Sequence, residues 1–337
     1  MQVRIRKDIF NSEQHLDRLD NLLTYFRKGK HAMLLDDIDD IDAYENSEWK
    51  KGLNSRDIKL INSYIKSGTR INKSYKIIDV SELNPMLDFA PKEADMYLGQ
   101  HLVILLENSE YDPPFINMIF NHFDTDGSLN QAKVDQNWKY GMGGGSAITS
   151  VINSELNESF KDPCFTKDKK TYLRYFVILD SDKKYPTMPI EPSKHSTLDE
   201  QNVPYHILFK REKENYVPLA ILGRLKSEYL NLYIKFSTHE QRDFFDLEKG
   251  FNDKPYDKLP NEIKQLYPER DVSTNPYKIL RKGIDIENYQ GGKIKREFSK
   301  LFNNATREEM FSMIANQPKI ENLNEFEHII REIKKIL

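Results

Sequence analysis

The chain has 337 residues, 38% hydrophobic and 31% charged, with 50 basic against 53 acidic residues and a formal net charge of -3. No apolar run approaches the ~18 residues needed to cross a bilayer, which excludes a helical membrane protein. A single cysteine, Cys164, excludes an intrachain disulfide and a cysteine-based zinc site. The near-neutral balance does not mark the whole chain as a nucleic-acid binder, although a global sum hides local patches.

The length suits two or three domains. The opening MQVRIRKDIF lacks the apolar stretch of a secretory signal, so a cytoplasmic location is expected. Residues 1–95 read as a mixed α/β region of unknown role. SEQHLDRLDNLLTYFRKG places Leu16, Leu19, Leu22, Leu23 and Phe26 on one helix face, with Ser12 as the N-cap. The acidic stretch LLDDIDDIDAYE lacks the glycine and the closing-Glu spacing of a calcium loop, and reads as a solvated turn or helix start.

The middle, residues 96–222, changes character. LVILLE is an apolar strand ending in Glu107, and PPFINMIFNHF follows with helical spacing and prolines in the first turn. YGMGGGSAITSVINSEL is a glycine-rich turn opening a helix. YFVIL is a second apolar strand, ending in Asp180, and YHILFKRE reads as a third, Tyr205 to Glu212. Strand, helix, strand, connection, strand predicts a parallel sheet covered by helices, and continuous apolar runs fit strands buried on both faces. Residues 223–337 read as mainly helical and packed on that core. REEMFSMIANQ and EFEHIIREIKKIL are the clearest helices, the latter with acids early and lysines late.

In an open parallel sheet, ligands gather beyond the carboxyl ends of the strands. Glu107, Asp180 and Glu212 or Glu214 fall at or past such ends. In an extended segment residues i and i+2 share a side, so Asp180 and Asp182 are expected to face one ion together. Carboxylates crowded in a cleft raise one another's pKa, a conflict that a hard cation such as magnesium relieves. A strand stopping at a polar turn accounts for Asp-Ser-Asp taken alone. From Tyr277 to Lys300 seven basic residues meet three acids, a surplus that suits phosphates or a solvated helix face. Eight histidines without an H-x-x-x-H pair argue against zinc hydrolysis, and His206, inside an apolar run, reads as a core or near-site residue. Cys164 has no partner motif for nucleophilic catalysis and reads as structural.

VILLEN, GMGGGS and VILDSDKKYP, in that order, resemble a Toprim domain, the catalytic fold of topoisomerases, bacterial primases and the OLD-family nucleases. KREKENYVP is similar to the segment of OLD-type nucleases in which a strand is followed by an acidic turn. The resemblance covers Gln100 to Leu219 and implies a divalent-metal-dependent nuclease using Mg2+ or Mn2+, two ions being expected. The residues it implies are Glu107, Asp180, Asp182 and Glu214 as catalytic groups, with these and Asp112 as metal ligands. Many relatives carry an acid four residues after the Glu; here that position is Tyr111, flanked by Glu110 and Asp112, of which Asp112 is preferred. Glu212 is a neighbour able to stand in for Glu214. A catalytic lysine is expected downstream, with Lys249, Lys282 and Lys293 competing and Lys293 ranked first for the two glycines before it. Gly143, Gly144, Gly145 and Ser146, opening a helix, are expected with Lys183 to meet a phosphate; a ligand-free tight connection is the other reading. The chain has no G-x-x-x-x-G-K-[ST], so any ATPase is a separate partner. The resemblance further implies DNA or RNA as substrate and a bacterial anti-phage effector activated with that ATPase. The alternatives are a ribonuclease or toxin cutting structured RNA such as tRNA, and a catalytically silent regulatory module.

Overall fold

The computed structural model describes residues 1–67, 75–143, 147–224, 231, 233–252, 254–268, 281, 283 and 298–337. It is α/β, with two parallel sheets flanked by helices. Among the described residues no helix is long and apolar enough to cross a membrane.

The first sheet has strands β1 (Gln2–Ile5), β2 (Ala32–Leu34) and β3 (Ile77–Val80) in the order β2-β1-β3. Val3 pairs with Met33 on one side and Ile78 on the other. These strands are too short to stand out in the sequence and depend on the helices that cover them. Helix Leu16–Arg27 buries Leu19, Leu22, Leu23 and Phe26, the face expected from their spacing. Its start differs from expectation: Ser12 precedes a 3-10 turn at Glu13–His15 and makes no side-chain cap. The acidic stretch runs from the end of β2 through helix Ile38–Asn46, where Asp37 accepts from Asp39 N at 2.9 Å; it is not wholly solvated, since Asp40 is buried and pairs with Arg6. Helix Pro91–Gly99 adds Ala94, Tyr97 and Leu98 to this core, and Tyr172 joins it from later in the chain.

The second sheet has β4 (Leu102–Leu106), β5 (Trp138–Met142), β6 (Tyr175–Leu179) and β7 (Tyr205–Ile207), in the order β5-β4-β6-β7. Side-chain alternation splits its two faces. Leu102, Ile104, Leu106, Phe176 and Ile178 pack with helix Pro113–Phe123 and with the C-terminal helices Arg307–Ile314 and Glu325–Ile336. Leu105, Val177 and Leu179 pack on the opposite side with Ile148 and Ile152 of helix Ala147–Glu158. Central β4 and β6 are therefore apolar throughout, whereas edge strand β5 reads WKYGM and carries only Trp138 as a buried apolar residue.

Two sequence expectations are corrected here. The sheet has four strands rather than three, because Trp138–Met142 pairs with β4 through Leu106↔Met142 instead of forming part of the turn. The third expected strand stops at Ile207, not Glu212, since β7 has one neighbour, and beyond it residues 213–216 wind into a buried 3-10 turn. Gly141 is needed in β5 for packing: a Cβ there would lie 2.6 Å from Val103 Cγ1 and 2.7 Å from Leu105 Cδ2.

The C-terminal helix is tied to the sheet at its first residue. Glu325 is fully buried and accepts from His206 Nε2 (2.9 Å), Phe209 N (2.8 Å) and Tyr216 OH (2.6 Å). His206 is thus a satisfied core residue.

Candidate functional site

The chain leaves β4 towards β5 on one side and returns across β4 to β6 on the other. The carboxyl ends of β4 and β6 therefore flank a topological switch point, where open α/β sheets form their crevice. Glu107 follows β4 and Asp180 follows β6, and the register Leu106↔Ile178 puts them side by side. Asp180 N donates to Glu107 Oε1 at 3.2 Å. Glu107 is half-buried, and its carboxyl is pushed up to about 7, by burial first and then by the Asp180 charge.

The Asp-Ser-Asp segment does not continue as a strand. Asp182 has φ of 53°, a left-handed conformation that Asp tolerates better than most residues. Ser181 points inward and donates to Lys210 O at 2.7 Å. Asp182 stays solvent-exposed, and one lysine reaches its carboxylate and the backbone carbonyl of Asp180. Lys194, on the turn Pro192–Lys194, donates to Asp180 O at 3.0 Å and pairs with Asp182 Oδ2.

The segment after β7 carries the rest. Lys213 N donates to Asp180 Oδ1 at 3.1 Å, so the turn Lys213–Tyr216 is fastened to the end of β6. The Lys213 ammonium pairs with Asp112 Oδ1 and lies 3.5 Å from Glu214 Oε1. Lys213, Glu214 and Asp112 are 4%, 3% and 7% exposed. Neither Glu214 oxygen accepts a hydrogen bond, although both are buried. Asp112 also accepts from Asn108 N at 2.8 Å, and burial raises its carboxyl despite Lys213. The ammonium is held above the usual lysine range, because Glu214, Asp180 and Asp112 together outweigh its burial. Glu212 bonds Arg211 Nε at 2.8 Å, and its carboxyl is pushed up to about 8 by burial and then by Glu214. Arg211 also pairs with Asp246 at 2.6 Å and donates to the carbonyls of Asp182 (3.2 Å) and Lys183 (3.3 Å).

The structure thus brings Glu107, Asp112, Asp180, Asp182 and Glu214 to one sheet edge. Glu110 is exposed and its backbone is held by Asn108. Lys183 is half-buried beside Asp182. Gly143 N donates to Leu106 O at 3.0 Å, so that amide extends the sheet pairing instead of facing a phosphate. Gly144, Gly145, Ser146, Lys282 and Lys293 lie outside the described residues, as does most of the basic stretch from Tyr277 to Lys300. Lys249 is exposed, its amide bonded to Asp246 at 2.7 Å. Two residues not expected from sequence complete the edge, Lys194 and Lys213. Lys194 carries no motif at all. Lys213 had a faint signal, a cation between Glu212 and Glu214 in a segment otherwise read for its acids.

Among the described residues no group of three or more His, Cys, Asp and Glu side chains closes on a common point as a ready metal cage. The donor chemistry still suits a hard cation. Magnesium needs only one or two carboxylates, with water and phosphate completing its shell. The carboxylates at this edge also carry an unrelieved conflict, shown by the raised Glu107 and the orphaned Glu214 oxygens. Cys164 is a half-buried thiol pushed up to about 11 by burial, with no feature of a nucleophile. No family model, no curated protein and no solved structure matches this chain.

Proposed function

We propose that the chain is a divalent-metal-dependent nuclease of Toprim type, cleaving phosphodiester bonds at the β4–β6 edge. The observation that carries this reading is the convergence of Glu107 and Asp180, joined through Asp180 N at 3.2 Å across the switch point, with Asp112 and Glu214 buried behind them and Asp182 on the open side. The order of the motifs, strand-end Glu, glycine turn and strand-end Asp-Ser-Asp, supports the same reading. Glu107, Asp180 and Asp182 would hold the Mg2+ or Mn2+ ion. When bound, such an ion supplies charge for the scissile phosphate and lowers the pKa of bound water. Glu107 is alternatively the general base that takes up the proton of an attacking water, the ion then resting on Asp180 and Asp182. Lys194 places positive charge at the open side of the site, where a phosphate would enter. The proposed setting is a bacterial anti-phage defence system, with activation by a partner ATPase encoded nearby.

The test is cleavage of plasmid, single-stranded DNA and total RNA with Mg2+ or Mn2+, alone and with the neighbouring ATPase co-purified. Wild type is expected to cut at least one substrate, and Glu107→Ala and Asp180→Ala to lose ~1,000-fold or more, as expected when a group holding the reaction's charge is removed. The substrate panel separates a DNA nuclease from a ribonuclease. Equal activity in the three proteins, or no cleavage by wild type under any of these conditions, overturns the proposal.

A further inference from the structure

The carboxyl edge divides into two halves that differ in their built-in cation. The outer half holds Glu107, Asp180 and Asp182. Its cation is Lys194, which pairs with Asp182 and touches Asp180 only at the backbone oxygen, the Asp180 carboxylate lying at the boundary with Oδ1 bonded to Lys213 N; the rest of its short turn, Pro192 and Ser193, and the preceding Glu191 are exposed. The Asp182 side chain is 54% exposed and that of Lys194 20%, against 5% for Lys213, so this half is the more open of the two and Lys194 is the cation that an arriving ion can displace. The inner half holds Asp112 and Glu214, with the Lys213 ammonium between them.

Lys213 has no such freedom. It is 4% exposed and its amide is bonded to Asp180 Oδ1 at 3.1 Å. The turn that carries it is anchored on both sides. Asn215 Nδ2 donates to Arg242 O at 2.8 Å and Phe245 O at 3.0 Å, and the Tyr216 hydroxyl donates to buried Glu325 at 2.6 Å. Moving the ammonium into water would mean unfastening this turn from the strand, the helix His239–Asp243 and the C-terminal helix. It would also leave the Asp112 and Glu214 charges buried without a partner, which is strongly unfavourable.

We propose that this edge takes a single divalent ion, in the outer half at Glu107, Asp180 and Asp182, and that the Lys213 ammonium permanently fills the inner position between Asp112 and Glu214 where a second ion would otherwise sit. The inference rests on the metal-dependent reading above. In two-ion sites the ions stand about 4 Å apart and share the charge of the attacking and leaving oxygens. Here fixed side-chain charge takes over one of those places. An ammonium carries half the charge of a divalent ion, and the Glu214 oxygens, which accept no hydrogen bond, are the visible remainder of that difference. They stay available to accept from a water or from a protonated substrate oxygen. Lys213 is accordingly a positioning and charge-balancing residue, and chelators do not remove its contribution.

The test counts ions directly. The full chain is equilibrated with Mn2+, free Mn2+ is measured by electron paramagnetic resonance, and the bound spectrum is examined for coupling between ions. Wild type is expected to bind one Mn2+ per chain without coupling. Lys213→Gln, one atom shorter and still polar but without the charge, is expected to bind two, with a coupled spectrum. Asp182→Ala changes an exposed side chain and is expected to fold normally and lose at least tenfold in Mn2+ affinity. Two ions on wild type overturn the proposal, as does a folded Lys213→Gln that still binds one, or an Asp182→Ala that binds as tightly as wild type. No ion on wild type is a different failure, that of the metal-dependent reading itself. If Lys213→Gln does not fold, the wild-type count and Asp182→Ala decide.

Discussion

Replacing Glu107 by Gln is expected to stabilise the metal-free protein, and to do so only at neutral and alkaline pH. The glutamine keeps the shape of the side chain and an oxygen to accept from Asp180 N. What it removes is a charge held in a half-buried place beside Asp180. A carboxyl whose folded-state pKa lies above its unfolded value binds more protons folded than unfolded between the two values. For Glu107 those values are 4.5 and about 7, so its penalty is absent below the lower one, grows as pH rises through the window and is complete above about 7. The full gap corresponds to about 3 kcal/mol at pH 8. Solvent screening of a half-buried group brings the expected gain on substitution to about 2 kcal/mol. Urea unfolding in EDTA at pH 4.5 and at pH 8 measures it. The two proteins should agree within about 0.5 kcal/mol at the lower pH and differ by about 2 kcal/mol at the higher one, with Gln the more stable. Added Mg2+ should then raise the wild type more than the variant, because an ion bound only by the folded state adds stability in proportion to its affinity. A Glu107→Gln protein less stable than wild type at pH 8 in EDTA would refute the reasoning, since it would mean that the native contacts of the charge outweigh its burial.

Two further expectations concern the frame that holds the edge. Glu325→Ala strands three donors, His206 Nε2, Phe209 N and Tyr216 OH, in a fully buried place, and should cost about 3 kcal/mol or more in chemical denaturation; Glu325→Gln, which keeps one acceptor oxygen, should cost less. Gly143→Ala puts a Cβ 2.6 Å from Ile148 Cγ1 and 3.2 Å from Ile148 Cα, so the first turn of helix Ala147–Glu158 must shift, at about 1–3 kcal/mol in thermal unfolding; no loss would show that β5 and this helix are less tightly apposed than described.

What the sequence determined by itself follows from burial. LVILL and YFVIL stand between neighbours in a sheet covered on both faces, so every position must be apolar, and a run of that kind is visible without any fold. The first charged residue after each run is then placed at the strand end almost by default, which is why Glu107 and Asp180 were legible. The helices at Leu16–Arg27 and Glu325–Ile336 were legible because one face of each is continuously buried. Edge strand β5 was not: half exposed, with Lys139 and Gly141, WKYGM looks like part of the turn that follows it. β7 was overextended for the opposite reason, since the buried character of YHILFKRE continues past Ile207 through ion pairs and not through strand pairing. Strand order decided the site. Only with β4 beside β6 does Glu107 meet Asp180, and only the turn fastened to Asp180 brings Lys213 between Asp112 and Glu214. Pairings between residues some thirty and a hundred positions apart, such as Lys213 with Asp180 and with Asp112, leave no periodicity in a sequence. They arise where separate segments are packed against the same sheet edge, so tertiary structure alone could pair Asp112 with Lys213 and Asp182 with Lys194.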